Sequence, residues 1–471
     1  MSGQRVGVVG GGISGLAAAY EMRRLLPGAT VTVFEGTDRV GGKLRTAALA
    51  GHDIDVGAES MLARRPEGLD LARAAGLGTP LVHPATGAAA VWSRGARWPL
   101  PLGTLMGVPS DPESAHGLLT ADEVSRVAAE PAAVHDPVAG DLSVGDFVAS
   151  RVGPAVVERL VEPLLAGVYA GHARHLSLQA CVPPLWAAAV SGRSIVAAAA
   201  AAAQAAARDR SPVFAGYRGG LGALARALGE VLRADGVEIR TSTVVRELGR
   251  TPTGWMLVSG ATTSQRHDVD AVVLATPAPP TSRLLRTVAP AAADLLAAVE
   301  YASMAIVSLA FPRSAAVHVS GSGVLVAPTE PTTVKAATFS SSKWEWVDGL
   351  DADVVFLRTS VGRAGDAAVL QHTDRELLSA VLADLDTVLG AVLPAPVDWQ
   401  LQRWGGALPQ YAVGHLGLVG RVEEEVAALP GLELAGAAYR GVGIPACVAS
   451  GRRAGAAVAT HLGAGRGRLR E

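Results

Sequence analysis

RVGVVGGGISGLAAAYEMRRLL, residues 5–26, runs from a short apolar strand through a cluster of glycines into apolar residues at helical spacing. TVTVFE (30–35) then alternates and ends on an acid, which completes a βαβ unit. Within it, Gly10-x-Gly12-x-x-Gly15 opens the helix and Glu35 stands 20 residues beyond Gly15. Such glycines permit a tight turn, close approach of backbone to a pyrophosphate, and close packing of helix on strand. Free N–H groups at the start of the helix favour negative charge there, so Gly10, Gly11, Gly12, Ile13, Ser14 and Gly15 form the candidate phosphate cradle. Glu35, followed by Gly36, would accept hydrogen bonds from a ribose diol and repel a 2′-phosphate, which favours FAD or NAD over NADP. A glycine turn can also serve helix packing alone, so the rest of the chain has to decide.

Working outward, the chain has 471 residues, 49% hydrophobic and 18% charged, enough for a large core and two or three domains. A net charge of −2 without a dense Lys/Arg tract argues against nucleic acid as a partner. Cys181 and Cys447 lie far apart with no Cys-x-x-Cys spacing, and His52, His172, His175 and His415 are scattered, so neither a disulfide framework nor a metal site is expected. The N-terminus lacks the succession of a secretory signal, and SIVAAAAAAAQAAARDR (194–210) is short, almost pure Ala and broken by Gln204, which reads as a soluble helix. A cytoplasmic protein is expected, with peripheral membrane association at most.

Strand patterns are scarce from Pro99 to about residue 215, where DLSVGDFVASRVGPAVVERLVEPLLAGVYA reads as helix, turn, helix with Ser143 as an N-cap. Helix and strand return in 217–248, DAVVLATPAPP (270–280) reads as a buried strand stopped by prolines, and strands of a second sheet lie between residues 304 and 361. The final segment is again strand, turn, helix. This order predicts an α/β nucleotide domain built from discontinuous segments (1–85, 215–280 and 400–471), a mixed-sheet substrate domain (86–98 and 281–399) and a helical insertion (99–214).

Arg39-Val40-Gly41-Gly42-Lys43 supplies a second glycine approach and two cations beyond the ribose acid. This RVGGK element resembles the signature of the flavin-containing amine oxidase superfamily, which uses FAD in a Rossmann-like domain. DVGAESMLARR (55–65), EPLLAGVYAG (162–171), SVGRAGDAAVL (360–370), RWGGALPQYAVGH (403–415) and YRGVGIPACV (439–448) together resemble the protoporphyrinogen and coproporphyrinogen oxidases of haem biosynthesis, over nearly the whole chain. The Ala63-Arg64-Arg65 element is closer to the bacterial coproporphyrinogen type, and an arginine used by mitochondrial relatives has no counterpart where Ala88 to Ala90 fall.

The resemblance implies further cofactor contacts at Arg39, Gly42 and Lys43, along Gly57, Ala58, Glu59 and Ser60, and at Val245, Thr276 and Trp404. It also brings the C-terminal glycine turn back to the flavin ring, with Val442, Gly443 and Ile444 offering backbone N–H groups and Pro445 starting a helix aimed at it. Arg64 and Arg65 are the candidate partners of substrate propionates. The implied activity is oxidation of coproporphyrinogen III to coproporphyrin III. Hydride passes from a meso carbon to flavin N5, oxygen is the acceptor, hydrogen peroxide is released, and three cycles remove six electrons. No catalytic side chain is expected, since this chemistry needs an oriented flavin and a dry flat cavity. Protoporphyrinogen IX is the alternative substrate. An amine oxidase, for which Lys335 is the sole plausible lysine, and a tetrapyrrole carrier without turnover are further readings. A transient contact with ferrochelatase is compatible with the same resemblance.

Overall fold

A computed structural model describes residues 3–468 except 210, 261–262 and 316–318. The opening unit forms the strand Arg5–Val9, the helix Ile13–Leu25 and the strand Thr30–Phe34. They join a five-stranded parallel sheet in the order Glu238–Arg240, Thr30–Phe34, Arg5–Val9, Ala271–Leu274, Leu432–Leu434. Parallel neighbours need a crossover that returns the chain to the same end, and long segments occupy those crossovers here.

The central strands are apolar throughout because both faces are covered. Val6, Val8, Val31, Val33, Ala271 and Val273 pack beneath helices, whereas Val9, Phe34, Val272 and Leu274 meet Trp255 and Leu257 of a three-stranded antiparallel sheet. On the helical face, Ile444–Arg468 crosses Ile13–Leu25 at backbone contact. A Cβ on Gly451 would lie 2.1 Å from the Ser14 carbonyl oxygen, and one on Gly455 would lie 2.7 Å from that of Ala18. Small residues thus dock the last helix beside the first glycine turn.

A second, seven-stranded sheet has the order Asp398–Pro409, Tyr301–Pro312, Val354–Val361, Val334–Thr338, Gly323–Val326, Ala89–Ser93, Ala96–Pro99. It is mixed, because Gly323–Val326 runs parallel to Ala89–Ser93 and the other pairings are antiparallel. Val307, Leu309, Val324, Leu357 and Val361 pack on Leu377, Val381 and Leu385 of the helix Asp374–Leu389. The domain boundary placed at residue 400 falls inside the strand Asp398–Pro409. Its register with Tyr301–Pro312 runs from Asp398 opposite Ala310 to Pro409 opposite Tyr301, so the chain leaves this sheet only after Pro409.

Helices dominate between Ala121 and Arg208 and share their own apolar core. Ser143 caps Val144–Val152, its hydroxyl accepting the Asp146 N–H at 3.0 Å. The Ala-rich stretch is the helix Ile195–Arg208, anchored by buried Ile195, Val196 and Ala199. Among the described residues no helix is long and apolar enough to cross a membrane.

Candidate functional site

The carboxyl end of the parallel sheet opens onto a cavity of about 440 Å³. From the first glycine turn it is lined by Gly10, Gly12, Ile13 and Ser14, and from the next strand by Glu35 and Gly36. Gly10 has φ +107°, and a Cβ there would lie 2.8 Å from the Ala275 carbonyl oxygen. Gly15 is set back from the cavity, because its Cβ would stand 1.9 Å from the Gly10 carbonyl oxygen. It therefore sets the approach of helix to strand. The buried Glu35 carboxylate is aimed by backbone: Oε2 accepts the Gly11 N–H at 2.7 Å, and Oε1 accepts the Thr37 N–H and hydroxyl, both at 2.8 Å. Oε2 keeps a lone pair for a further donor such as a sugar hydroxyl.

The second glycine turn closes on the first. The Gly41 N–H donates to the Gly11 carbonyl at 2.8 Å, and a Cβ on Gly42 would lie 3.3 Å from Gly12 Cα. Gly42, Lys43 and Ala58 line the same cavity, as do Val245 and Thr276. Burial pushes the Lys43 ammonium below its usual pKa, and among the described residues no carboxylate acts on it. An uncompensated buried cation beside a helix start is the environment a pyrophosphate or an electron-rich ring would neutralise. The residues present therefore fit a dinucleotide-sized anion.

Val442 and Ile444 bring the C-terminal turn to the cavity, together with Cys447, whose thiol burial pushes up to about 11. The two motifs at the C-terminal end prove to be one unit. Tyr411 Oη accepts the Gly441 N–H at 2.7 Å and donates to the Ala437 carbonyl at 2.6 Å, while His415 stacks on the Tyr411 ring at 3.9 Å and bonds the Tyr439 carbonyl. Tyr411→Phe should leave the Gly441 N–H unpaired at a cost of about 1–3 kcal/mol. The expected result is a lower thermal midpoint, read by circular dichroism on heating. An unchanged midpoint would show that the turn holds itself.

A family model described as flavin-containing amine oxidoreductase matches residues 13–459. The chain belongs to the flavin-containing amine oxidoreductases. Within them it stands among the porphyrinogen oxidases. It is 39% identical over 460 residues to a coproporphyrinogen III oxidase of Mycobacterium bovis, covering 97% of this chain and 98% of the relative. It is 30% identical to a protoporphyrinogen oxidase of Bos taurus, covering 97% and 98%. A crystal structure of a putative protoporphyrinogen oxidase from Exiguobacterium superposes with a TM-score of 0.85 at 33% identity, covering 98% of this chain and 99% of that one.

A flavin oxidoreductase needs its turns held around the cofactor, and several expected contact residues supply that hold, most of them from behind the cavity wall. A Cβ on Gly57 would lie 2.0 Å from the Lys43 carbonyl oxygen, and the Ala58 N–H donates to the same carbonyl at 3.2 Å. Trp404 donates its indole N–H to the Val56 carbonyl at 2.8 Å, and its ring lies against Gly57. Gly443 accepts the Cys447 N–H at 3.0 Å at the start of the last helix, and half-buried Ser60 continues the 57–59 turn. Glu59 faces away: Lys343 Nζ lies 2.5 Å and Arg358 Nη1 3.2 Å from its carboxylate.

Three arginines are placed differently from expectation. Arg39 turns its guanidinium back onto the carbonyls of Val40, Gly42 and Leu44, so it stiffens the second glycine turn and does not line the flavin cavity. Arg64 donates to the carbonyls of Ala206, Asp209 and Ser211, and Arg65 pairs with Glu67 at 2.6 Å. Arg64 thus ties its loop to the end of the helix Ile195–Arg208, Arg65 makes a local exposed pair, and neither lines the cavity. Conversely, Tyr301 and Cys447 line it without having been singled out; the Cys447 position lay within the GVGIPAC stretch, whereas nothing local marks Tyr301.

Proposed function

We propose that the protein binds FAD in this cavity and oxidises coproporphyrinogen III to coproporphyrin III, with molecular oxygen as acceptor and hydrogen peroxide as product. The observation that carries the reading is the near full-length 39% identity to a coproporphyrinogen III oxidase, combined with a cavity that gathers both glycine turns, Glu35 and Lys43. When bound, the flavin supplies hydride acceptance. Removing six electrons from the macrocycle then takes three oxygen molecules and yields three of hydrogen peroxide.

The chain's own residues bind, orient and exclude water. Glu35 would take the ribose hydroxyls, and Lys43 with the N-termini of Ile13–Leu25 and Ile444–Arg468 would hold the anionic parts. On the second sheet, the face away from the helix Asp374–Leu389 carries Ser360 opposite Ala336 and Arg358 opposite Thr338. Arg358 reaches the Gly57 carbonyl at 2.8 Å, so this face adjoins the flavin turn. Ser360, Ala336 and Thr338 are small, which leaves room on this face for a planar macrocycle. No side chain is required as acid or base, because pyrrole N–H groups shed their own protons after tautomerisation.

The decisive experiment compares kcat/KM for coproporphyrinogen III and protoporphyrinogen IX in air, following porphyrin fluorescence. Preference for the four-propionate substrate is the expected result, since a site built for carboxylates leaves polar groups unpaired against vinyl groups. Preference for protoporphyrinogen IX would overturn the substrate. Turnover of neither, with no flavin bleaching by anaerobic porphyrinogen, would leave a carrier or an amine oxidase.

A further inference from the structure

Beside the second glycine turn lies a pocket of about 250 Å³ whose lining shares only Leu44 with the larger cavity. Arg39 and Arg45 come from the turn, and Arg226 and Arg233 from the helix Leu221–Ala234. Seven residues apart, the last two share one face of that helix. The Arg233 guanidinium folds over Gly229, where a Cβ would meet its Nη1 at 3.6 Å and Val40 at 3.1 Å. Thr46 and Thr241 add hydroxyls to the lining, and Asp38 is its one acid.

We infer that this pocket binds a small multivalent oxyanion, a phosphate or pyrophosphate group, at a site separate from the flavin cavity. Four arginines and a single carboxylate line the pocket in a chain whose net charge is −2, so the concentration of positive charge is local and not a property of the whole surface. Arg39 is held by the carbonyls of its own turn, whereas the hydrogen bonds of the other three are largely unspent. Arg45 and Arg233 have no hydrogen-bond or ion-pair partner among the described residues, and Arg226 has only an exposed pair with Asp53 at 3.8 Å. Burial above all, with the neighbouring Arg45 charge behind it, makes the Arg39 cation less favourable, while Asp38 and Glu35 oppose this. Guanidinium forks match phosphate oxygens in pairs, and an anion would convert this repulsion into charge-assisted hydrogen bonds. The N-terminus of the helix plays no part, because Asp55 already accepts the Leu221 and Gly222 N–H groups.

The size of the pocket admits a phosphate or pyrophosphate and excludes the macrocycle of the proposed substrate. Leu44 lines both this pocket and the flavin cavity, so an anion here would brace the turn that carries Lys43. The inference stands whichever porphyrinogen is oxidised.

The test is isothermal titration of pyrophosphate, and separately of inorganic phosphate, into FAD-saturated holoprotein at ionic strength held constant with sodium chloride. Saturable binding at one site, tighter for pyrophosphate, is the expected result. Arg226→Gln with Arg233→Gln should raise Kd at least about tenfold while the flavin spectrum and turnover stay as in the parent. Arg45→Gln, on the opposite wall, should weaken binding independently. No saturable heat with the parent protein, or equal binding by both variants, would overturn the inference.

Discussion

Gly15→Ala should yield protein that purifies nearly colourless. The added methyl would sit 1.9 Å from the Gly10 carbonyl oxygen and 3.3 Å from Ala275 Cβ, and the first of these is backbone, which has no rotamer to escape into. Overpacking of this kind costs about 1–3 kcal/mol where side chains can yield, and more where they cannot. The helix must move outward, carrying Ser14 and the Gly10 to Gly12 turn with it, and the last helix resists because Gly451 holds it against the Ser14 carbonyl. The flavin-to-protein absorbance ratio reads the loss directly. Gly28→Ala is the control, since nothing lies within 4 Å of a Cβ there and it should retain flavin. A fully flavinated Gly15→Ala protein would mean that the first turn does not set the cofactor's approach.

The legibility of the sequence follows the range over which each constraint acts. Gly10, Gly12 and Glu35 could be read because strand, turn, helix and acid lie within 31 residues of chain and their chemistry is local. Ser143 was readable for the same reason, a cap and its N–H being three residues apart. Arg64 was not, since its acceptors are carbonyls some 142 to 147 residues away at the end of the Ala-rich helix. Arg39 failed at short range: a cation beside a glycine turn reads as a phosphate partner, but here the turn's own carbonyls take its guanidinium. The edge strand Asp398–Pro409 depends on pairing with Tyr301–Pro312, which no local pattern near residue 400 specifies.

Glu59 shows the same effect with larger energetic consequences. Glu59→Ala should be the most destabilising of the charge substitutions, about 3–5 kcal/mol, because it strands Lys343 and Arg358 together without a counter-ion. Lys343→Met should be markedly milder, since Arg358 and Glu59 remain as a one-to-one pair. Burial alone would raise the Glu59 carboxyl, yet Lys343 and Arg358 draw it down to about 2. Its folded value is therefore below the ordinary 4.5, and the stability it contributes, on the order of 3 kcal/mol, is complete above pH 4.5 and lost as pH falls towards 2. Urea unfolding monitored by flavin release, run at pH 7 and at pH 4, should show the parent losing stability on acidification more steeply than Glu59→Gln. Arg358 comes from the second sheet, Lys343 from the short helix Ser340–Lys343 beside it and the acid from the 57–59 turn, so the triad also joins the two layers. Arg358 bonds the Gly57 carbonyl at 2.8 Å as well as Glu59, and Glu59→Ala should release flavin before the second sheet unfolds. Equal effects of Glu59→Ala and Lys343→Met would mean that water, and not the paired charges, solvates these groups.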